Sequence, residues 1–300
     1  MENELKLNLG EAFGSLFQKG WFAKSLGAWC CLLIPIVVTI LTIIMFGLGA
    51  GTKNVIFYIL GIVFILLTVI SYVISVFLFT GYYYLYSHDR ALDKNAQYRD
   101  WSKETIAEAL ITGAKTSIFG LIQLPFRWIV NIAVSIPFAI IALPLVIGGS
   151  SASEPIANLL NIISSIAANL VYILGLSFVF TKVAAHYVKD LTVGSIFDWG
   201  SAFRRAKGVK GVVLVPFIPY LYSFVMGALL MMLFIGSAAL VGTLSISQPD
   251  LGIIIMVILC VVLVIFLISI VISQVALQAN LLGQYAYNVI ENNKDENVQQ

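Results

Sequence analysis

Six apolar runs, residues 26–50, 55–86, 116–147, 156–186, 212–243 and 252–287, contain neither Asp nor Glu. Each exceeds the roughly 20 residues that an α-helix needs to cross the hydrocarbon of a bilayer. Across the 300 residues, 60% are hydrophobic and 11% charged, against about 25% charged in an average soluble domain. A soluble chain of this length cannot bury that much apolar side chain, because its surface remains too large. A soluble enzyme, a disordered chain and a nucleic-acid binder are therefore excluded. The expected fold is an all-α membrane protein with six transmembrane helices. Several runs exceed 30 residues, so they must tilt, kink or project beyond the hydrocarbon.

The runs pair off. Breaks at 51–54, 148–155 and 244–251 are short, whereas those at 87–115 and 187–211 are long and polar. This spacing predicts three helical hairpins. Lys6, Lys19 and Lys24 precede the first run. Arg90, Lys94, Arg99 and Lys103, then Lys189, Arg204, Arg205, Lys207 and Lys210, occupy the long connections, and Lys294 is in the tail. The short loops hold only Lys53. Cytoplasmic loops collect Lys and Arg, so both termini and the long connections are expected in the cytoplasm. Residues 1–10 are polar and of mixed charge, which gives no expectation of a cleavable signal peptide. Cys30, Cys31 and Cys260 lie in apolar runs without a CxxC or a Cys/His cluster, as expected of small side chains packed in helices.

The hairpins read as copies of one unit, at approximately 1–86, 95–189 and 194–290, within a single membrane domain of residues 1–290. Residues 291–300 are expected to form a polar, disordered tail. Each unit opens with a short amphipathic, interfacial helix. In the first, Leu5, Leu9, Phe13, Leu16 and Phe17 share a face; in the second, Ile106, Ala107, Leu110, Ile111 and Ala114; in the third, Ile196, Trp199 and Phe203. Gly10–Phe13 echoes Gly200–Phe203, and Asp100-Trp101-Ser102 echoes Asp198-Trp199-Gly200, each Asp standing where it can cap a helix. The first span of each unit carries proline: Pro35, Pro125, and Pro216 with Pro219. The second ends in a small residue followed within two positions by Tyr83, Tyr187 or Tyr285. With Trp101, Trp199 and Phe203, these tyrosines are expected to anchor the chain at the membrane–water interface.

The Asp198–Phe203 run, Gly81-Tyr82 and Gly283-Gln284-Tyr285 resemble a family of prokaryotic polytopic membrane proteins without assigned activity, domain-of-unknown-function family 4013. The resemblance implies a prokaryotic, multi-pass protein of the cell (inner) membrane, and it carries over no catalytic residue.

Catalytic groups are scarce. The runs contain no aspartate, HExxH and Walker motifs are absent, and the only histidines are His88 and His186. Intramembrane proteolysis needs an activated nucleophile, paired aspartates or a metal, and proton-coupled transport usually uses a buried carboxylate. No catalytic residue, metal or cofactor is expected. His88-Asp89-Arg90 is the best acid–base cluster, at a helix end where polar residues are ordinary. Polar stripes mark the second span of each hairpin: Thr68, Ser71, Tyr72 and Ser75; Asn158, Asn161, Ser165 and Tyr172; Ser269, Ser273, Asn280 and Gln284. They suit either helix packing or a polar cavity, and they place the second, fourth and sixth helices in an inner ring.

Two sites are expected. Arg204, Arg205, Lys207 and Lys210 would either attract anionic lipid headgroups or serve as an ordinary positive-inside topology signal. Arg127, Asn131 and Ser135 would form a buried or interfacial anion site, with residues 114–124 a shallow or re-entrant helix and Arg127 at the membrane edge. The functional expectation is a non-enzymatic module that binds or moves lipids or other amphiphiles, alone or with a membrane-protein partner or a second copy. The alternative is a scaffold whose cytoplasmic interfacial helices recruit partners.

Overall fold

The computed structural model describes residues 7–18, 20–147, 153–205, 209–247 and 249–298. The fold is all-helical, with no strand among the described residues. Helix α1 (Leu9–Gly14) leads through a 3₁₀ turn, Ser15–Phe17, to α2 (Trp21–Thr52) and α3 (Val55–Leu92). Helix α4 (Lys103–Ile147) is followed by α5 (Ser153–Val171), a π turn at Tyr172–Leu176 and α6 (Ser177–Asp190). Short helices α7 (Val193–Phe197) and α8 (Trp199–Arg205) precede the long pair α9 (Val209–Ser247) and α10 (Pro249–Val298). Five stretches are long and apolar enough to cross a membrane: Trp21–Thr52, Val55–Leu92, Lys103–Pro144, Val212–Ala239 and Ile254–Asn288. The chain is thus a multi-pass membrane protein by the length and composition of its helices. Ile156–Val171 is a shorter apolar helix, interrupted at its end by the π turn.

Two boundaries differ from expectation. The second amphipathic segment is not a separate helix but the first turns of the 45-residue α4. Nothing between Lys103 and Thr116 stops the helix, and Gly113 faces α3 rather than a loop. The polar stretch expected to be disordered after residue 290 instead continues α10 to Val298. The prolines do not end their helices. The carbonyl that Pro35 frees, that of Cys31, accepts from Ser75 Oγ of α3 at 2.6 Å.

Burial divides the molecule into two zones. Large apolar side chains are exposed from Leu33 to Leu48, Val55 to Ile74, Leu121 to Leu143, Ile156 to Val171, Tyr220 to Ile235 and Ile254 to Val271. These stretches of 16 to 23 residues rise about 24–35 Å at about 1.5 Å per residue, close to the roughly 30 Å of a hydrocarbon core. In each of the five long apolar stretches, at most 6% of the most apolar window is buried, so lipid or another membrane helix must cover them. The buried zone lies to one side of this band. There α3, α6 and α10 pack on one another, with α2, α4 and α9 outside them. Backbones meet at two glycine crossings. A Cβ on Gly81 would overlap the Ala109 carbonyl of α4, and one on Gly113 the Phe77 carbonyl of α3. A Cβ on Gly283 would fall within 2.8 Å of the Ser87 carbonyl where α10 crosses α3.

Candidate functional site

The buried zone is held by aromatic stacking and a polar network. Tyr86 stacks on Tyr98 with ring centroids 3.8 Å apart, and Tyr82 on Trp101 at 4.5 Å. Such pairs contribute about 0.5–1.5 kcal/mol beyond burial. Asn280 Nδ2 donates to Tyr86 Oη at 2.7 Å, and Gln284 Nε2 donates to Asn280 Oδ1 at 2.8 Å. The Gln284 amide also takes both polar groups of the Asn8 backbone, which pins the N-terminal segment across α10. Arg90, only 3% exposed, pairs with Glu11 of α1. Ser87 Oγ donates to the Ala279 carbonyl of α10, and Lys115 Nζ to the Leu191 carbonyl. Hydrogen bonds between hairpins cluster in this zone. Inside the apolar band, Thr42 meets Thr68, and Ser164 donates to Ser135, each within one hairpin.

The acid–base cluster is dispersed by these contacts. His88 Nδ1–H donates to the Val188 carbonyl at 2.6 Å, Asp89 accepts from Nε and Nη2 of Arg99, and Arg90 faces Glu11. Asp89, then Glu108, hold the Arg99 guanidinium firmly charged through hydrogen bonds. Burial raises the Tyr98 hydroxyl well above its ordinary range. Among the described residues no group of His, Cys, Asp and Glu has the arrangement of a metal site.

The expected interfacial anchors separate into two kinds. Tyr83, Tyr187 and Tyr285 are buried, so they are core residues rather than anchors facing lipid headgroups. An interfacial tyrosine and a core tyrosine are the same residue in sequence, and only the mutual packing of α3, α6 and α10 encloses these three. Trp101 lies over Gly27 and donates Nε1–H to the Lys24 carbonyl at 2.8 Å, joining α2 to the start of α4. Trp199 is half-buried against Phe180, and its Nε1–H donates to the Ile196 carbonyl. Phe203 remains exposed. The cap of α4 is Ser102, whose Oγ accepts from the Thr105 amide, while Asp100 instead pairs with Lys24. Asp198 does cap α8, accepting from Ser201 N–H at 3.1 Å. The Ser201 hydroxyl, and then its amide, hold the carboxyl below the usual carboxylate range, with smaller contributions from His186 and Arg204.

The first turns of α4 meet the rest of the chain through small side chains. Thr105, Ala109, Thr112 and Thr116 are buried, whereas Ile106 and Ile111 are exposed. Small side chains allow the close approach to α3, and the larger apolar ones are left facing outward. The first segment also splits: Leu16 is buried but Phe17 is 84% exposed.

Of the basic cluster, Arg204 is exposed and its Nε donates to the Gly200 carbonyl. Lys207 and the side chains of Arg205 and Lys210 lie outside the described residues. Arg127 is exposed on α4, its guanidinium 5.6 Å from the Tyr172 ring centroid. Tyr172 Oη donates to Gln123 Oε1 at 3.0 Å. Asn131 is exposed, and Ser135 meets Ser164 of α5. The α5 stripe of Asn158, Asn161 and Ser165 is exposed too, and Asn169 joins it. Lys182 also interrupts the fourth apolar run, on α6 at the hub side of the exposed band. Its Nζ lies 4.5 Å from the Phe178 ring and 5.2 Å from that of Phe203. Comparison of the chain with protein-family models, with curated proteins and with solved structures finds no match.

Proposed function

We propose that this chain is a non-enzymatic lipid- or amphiphile-binding protein of a prokaryotic cell (inner) membrane, built from three repeated hairpins with six spans and cytoplasmic termini. The observation that carries the reading is the division of the molecule into a polar hub, where the hairpins are tied together, and an apolar band that the chain scarcely covers with its own side chains. The exposed apolar side chains along the band suit acyl chains. Cations at the hub edge, Arg127, Lys182 and Arg204, suit headgroups. Burial of Ala12 and Ala202 in one core, at matching places in the first and third amphipathic segments, supports the repeat. The mutual packing of α3, α6 and α10 supports helices two, four and six as its inner ring. Membership of the resembled family rests on the motifs around Gly81, Asp198 and Gly283. A scaffold acting through its interfacial helices is less favoured, because α1 and α8 face the chain's own core through Ala12 and Ala202. Native mass spectrometry of protein released from mixed-lipid nanodiscs tests the reading. Retained phospholipid is expected, and a bare protein from every lipid mixture would count against it.

A further inference from the structure

The α4–α5 hairpin presents a polar seam inside the apolar band. Ser135 and Ser164 fix the register of the two helices, and Arg127 lies over Tyr172 where the exposed part of α5 ends. Residues three or four apart share a helical face. Asn131 therefore follows Arg127 along α4, and Asn169, Ser165, Asn161 and Asn158 follow Tyr172 along α5, on the side that touches Arg127. The asparagines are exposed at membrane depth, flanked by Ile162, Ile163 and Ile166, which face outward as well. From Tyr172 to Asn158 the stripe covers 15 residues, about 21 Å of helix, most of the way across the hydrocarbon. Intramembrane polar groups are costly unless they pair or line a polar path. Arg127 has no carboxylate partner among the described residues.

We propose that this seam is a path along which a phospholipid headgroup moves across the membrane, with Arg127 receiving its phosphate at the cytoplasmic mouth. The proposal rests on the lipid-binding reading above and adds a movement to it. Arg127 supplies a planar donor fork for phosphate, and the asparagine amides replace headgroup hydration along the way while the acyl chains stay in lipid. A second copy of the chain is a poorer occupant. Two copies inserted with the same orientation meet about an axis normal to the membrane, which brings equal depths together. Arg127 would then approach its counterpart, and like charges repel strongly where little water screens them. The π turn beside Tyr172 touches both α4 and α9, and such turns commonly mark functional positions in helices.

The test is transbilayer movement in liposomes of phosphatidylcholine and phosphatidylglycerol carrying a trace of acyl-labelled fluorescent phosphatidylglycerol, quenched from outside with dithionite. Wild-type protein should let quenching proceed past the outer leaflet. Asn161→Leu with Asn169→Leu should stop it at the outer-leaflet plateau. Arg127→Gln should slow it about fivefold, the factor expected of one cation at an anionic surface, and Arg127→Lys should restore most of the rate. Excess inorganic phosphate should leave the rate unchanged; inhibition would assign Arg127 to a soluble anion and overturn the proposal. A wild-type protein that retains phospholipid by mass spectrometry yet stops at the plateau overturns the headgroup path and spares the lipid-binding reading. A wild-type protein that retains none removes both. If the asparagine variants lose a dimer rather than movement, the stripe is a contact between copies and the path is wrong. Because the wild-type outcomes stand alone, variants that fail to fold do not shelter the proposal.

Discussion

Gly81 and Gly113 show how little room a single atom has in the hub. Each faces a backbone carbonyl of the opposing helix, and a methyl group on either must push α3 and α4 apart. Overpacking of this kind costs about 1–3 kcal/mol where side chains can adjust, and backbone gives less than side chain. Gly81→Ala or Gly113→Ala is expected to lower the unfolding temperature in detergent by several degrees. Gly120→Ala, with open space around it, should be neutral or raise it slightly, since alanine favours a helix by about 0.8–1.0 kcal/mol over glycine. Equal losses at all three positions would mean that the crossing is not as tight as described. Arg90 illustrates a second residue-scale constraint. Its guanidinium is buried beside Glu11, and a buried charge deprived of its partner is strongly destabilising. The half-exposed Glu11 receives some help from water, so the full cost of a sealed pair does not apply.

The stability of helix α8 depends on pH through a defined group. Asp198 caps it through Ser201, and the folded carboxyl is depressed below its ordinary range. A depressed carboxyl stabilises the folded state at pH values above its unfolded pKa, and that contribution is lost as pH falls through the folded value. Amide hydrogen exchange at Ser201 and Ala202, compared with a reference amide to remove intrinsic pH effects, should show protection that falls only below the ordinary carboxylate range. In Asp198→Asn that acid limb should be absent. An unchanged limb would place the titration elsewhere. The local cap was legible in the sequence because an N-cap is a short-range device. Asp100 stood in an equivalent sequence position, yet Ser102 caps α4, because Lys24 of α2 takes the Asp100 carboxylate.

For the whole molecule, the exposed apolar stretches and the buried hub place the membrane boundary near Leu121 on α4 and near Val171 on α5. Arg127 is six residues past Leu121, about 9 Å along the helix, but level with Tyr172 through its ring contact. The contact with Tyr172, beside the α5 boundary, leaves Arg127 near the hub-side edge of the apolar band. In a background without Cys30, Cys31 and Cys260, a cysteine replacing Arg127 should react with an impermeant thiol reagent added on the side of the membrane that carries the hub. One replacing Ile141, in the middle of the exposed band, should be protected. Reaction at Ile141 with protection at Arg127 would invert the boundary.

The apolar runs alone determined that this chain is helical and membrane-embedded, because each run must satisfy its own backbone hydrogen bonds in lipid. They also located nearly every long helix, since length and hydropathy are properties of a segment. What the tertiary structure decided is which side of each helix is inside. The threonines of α4 rather than its isoleucines are buried; Tyr83, Tyr187 and Tyr285 lie in the core; and Asn158 and Asn161 face outward. In water, apolarity marks the buried face, but in a bilayer the outside is as apolar as the inside. Burial there follows close packing and hydrogen bonding between helices, and those depend on partners distant in sequence, as Ser87 on Ala279 and Asn8 on Gln284.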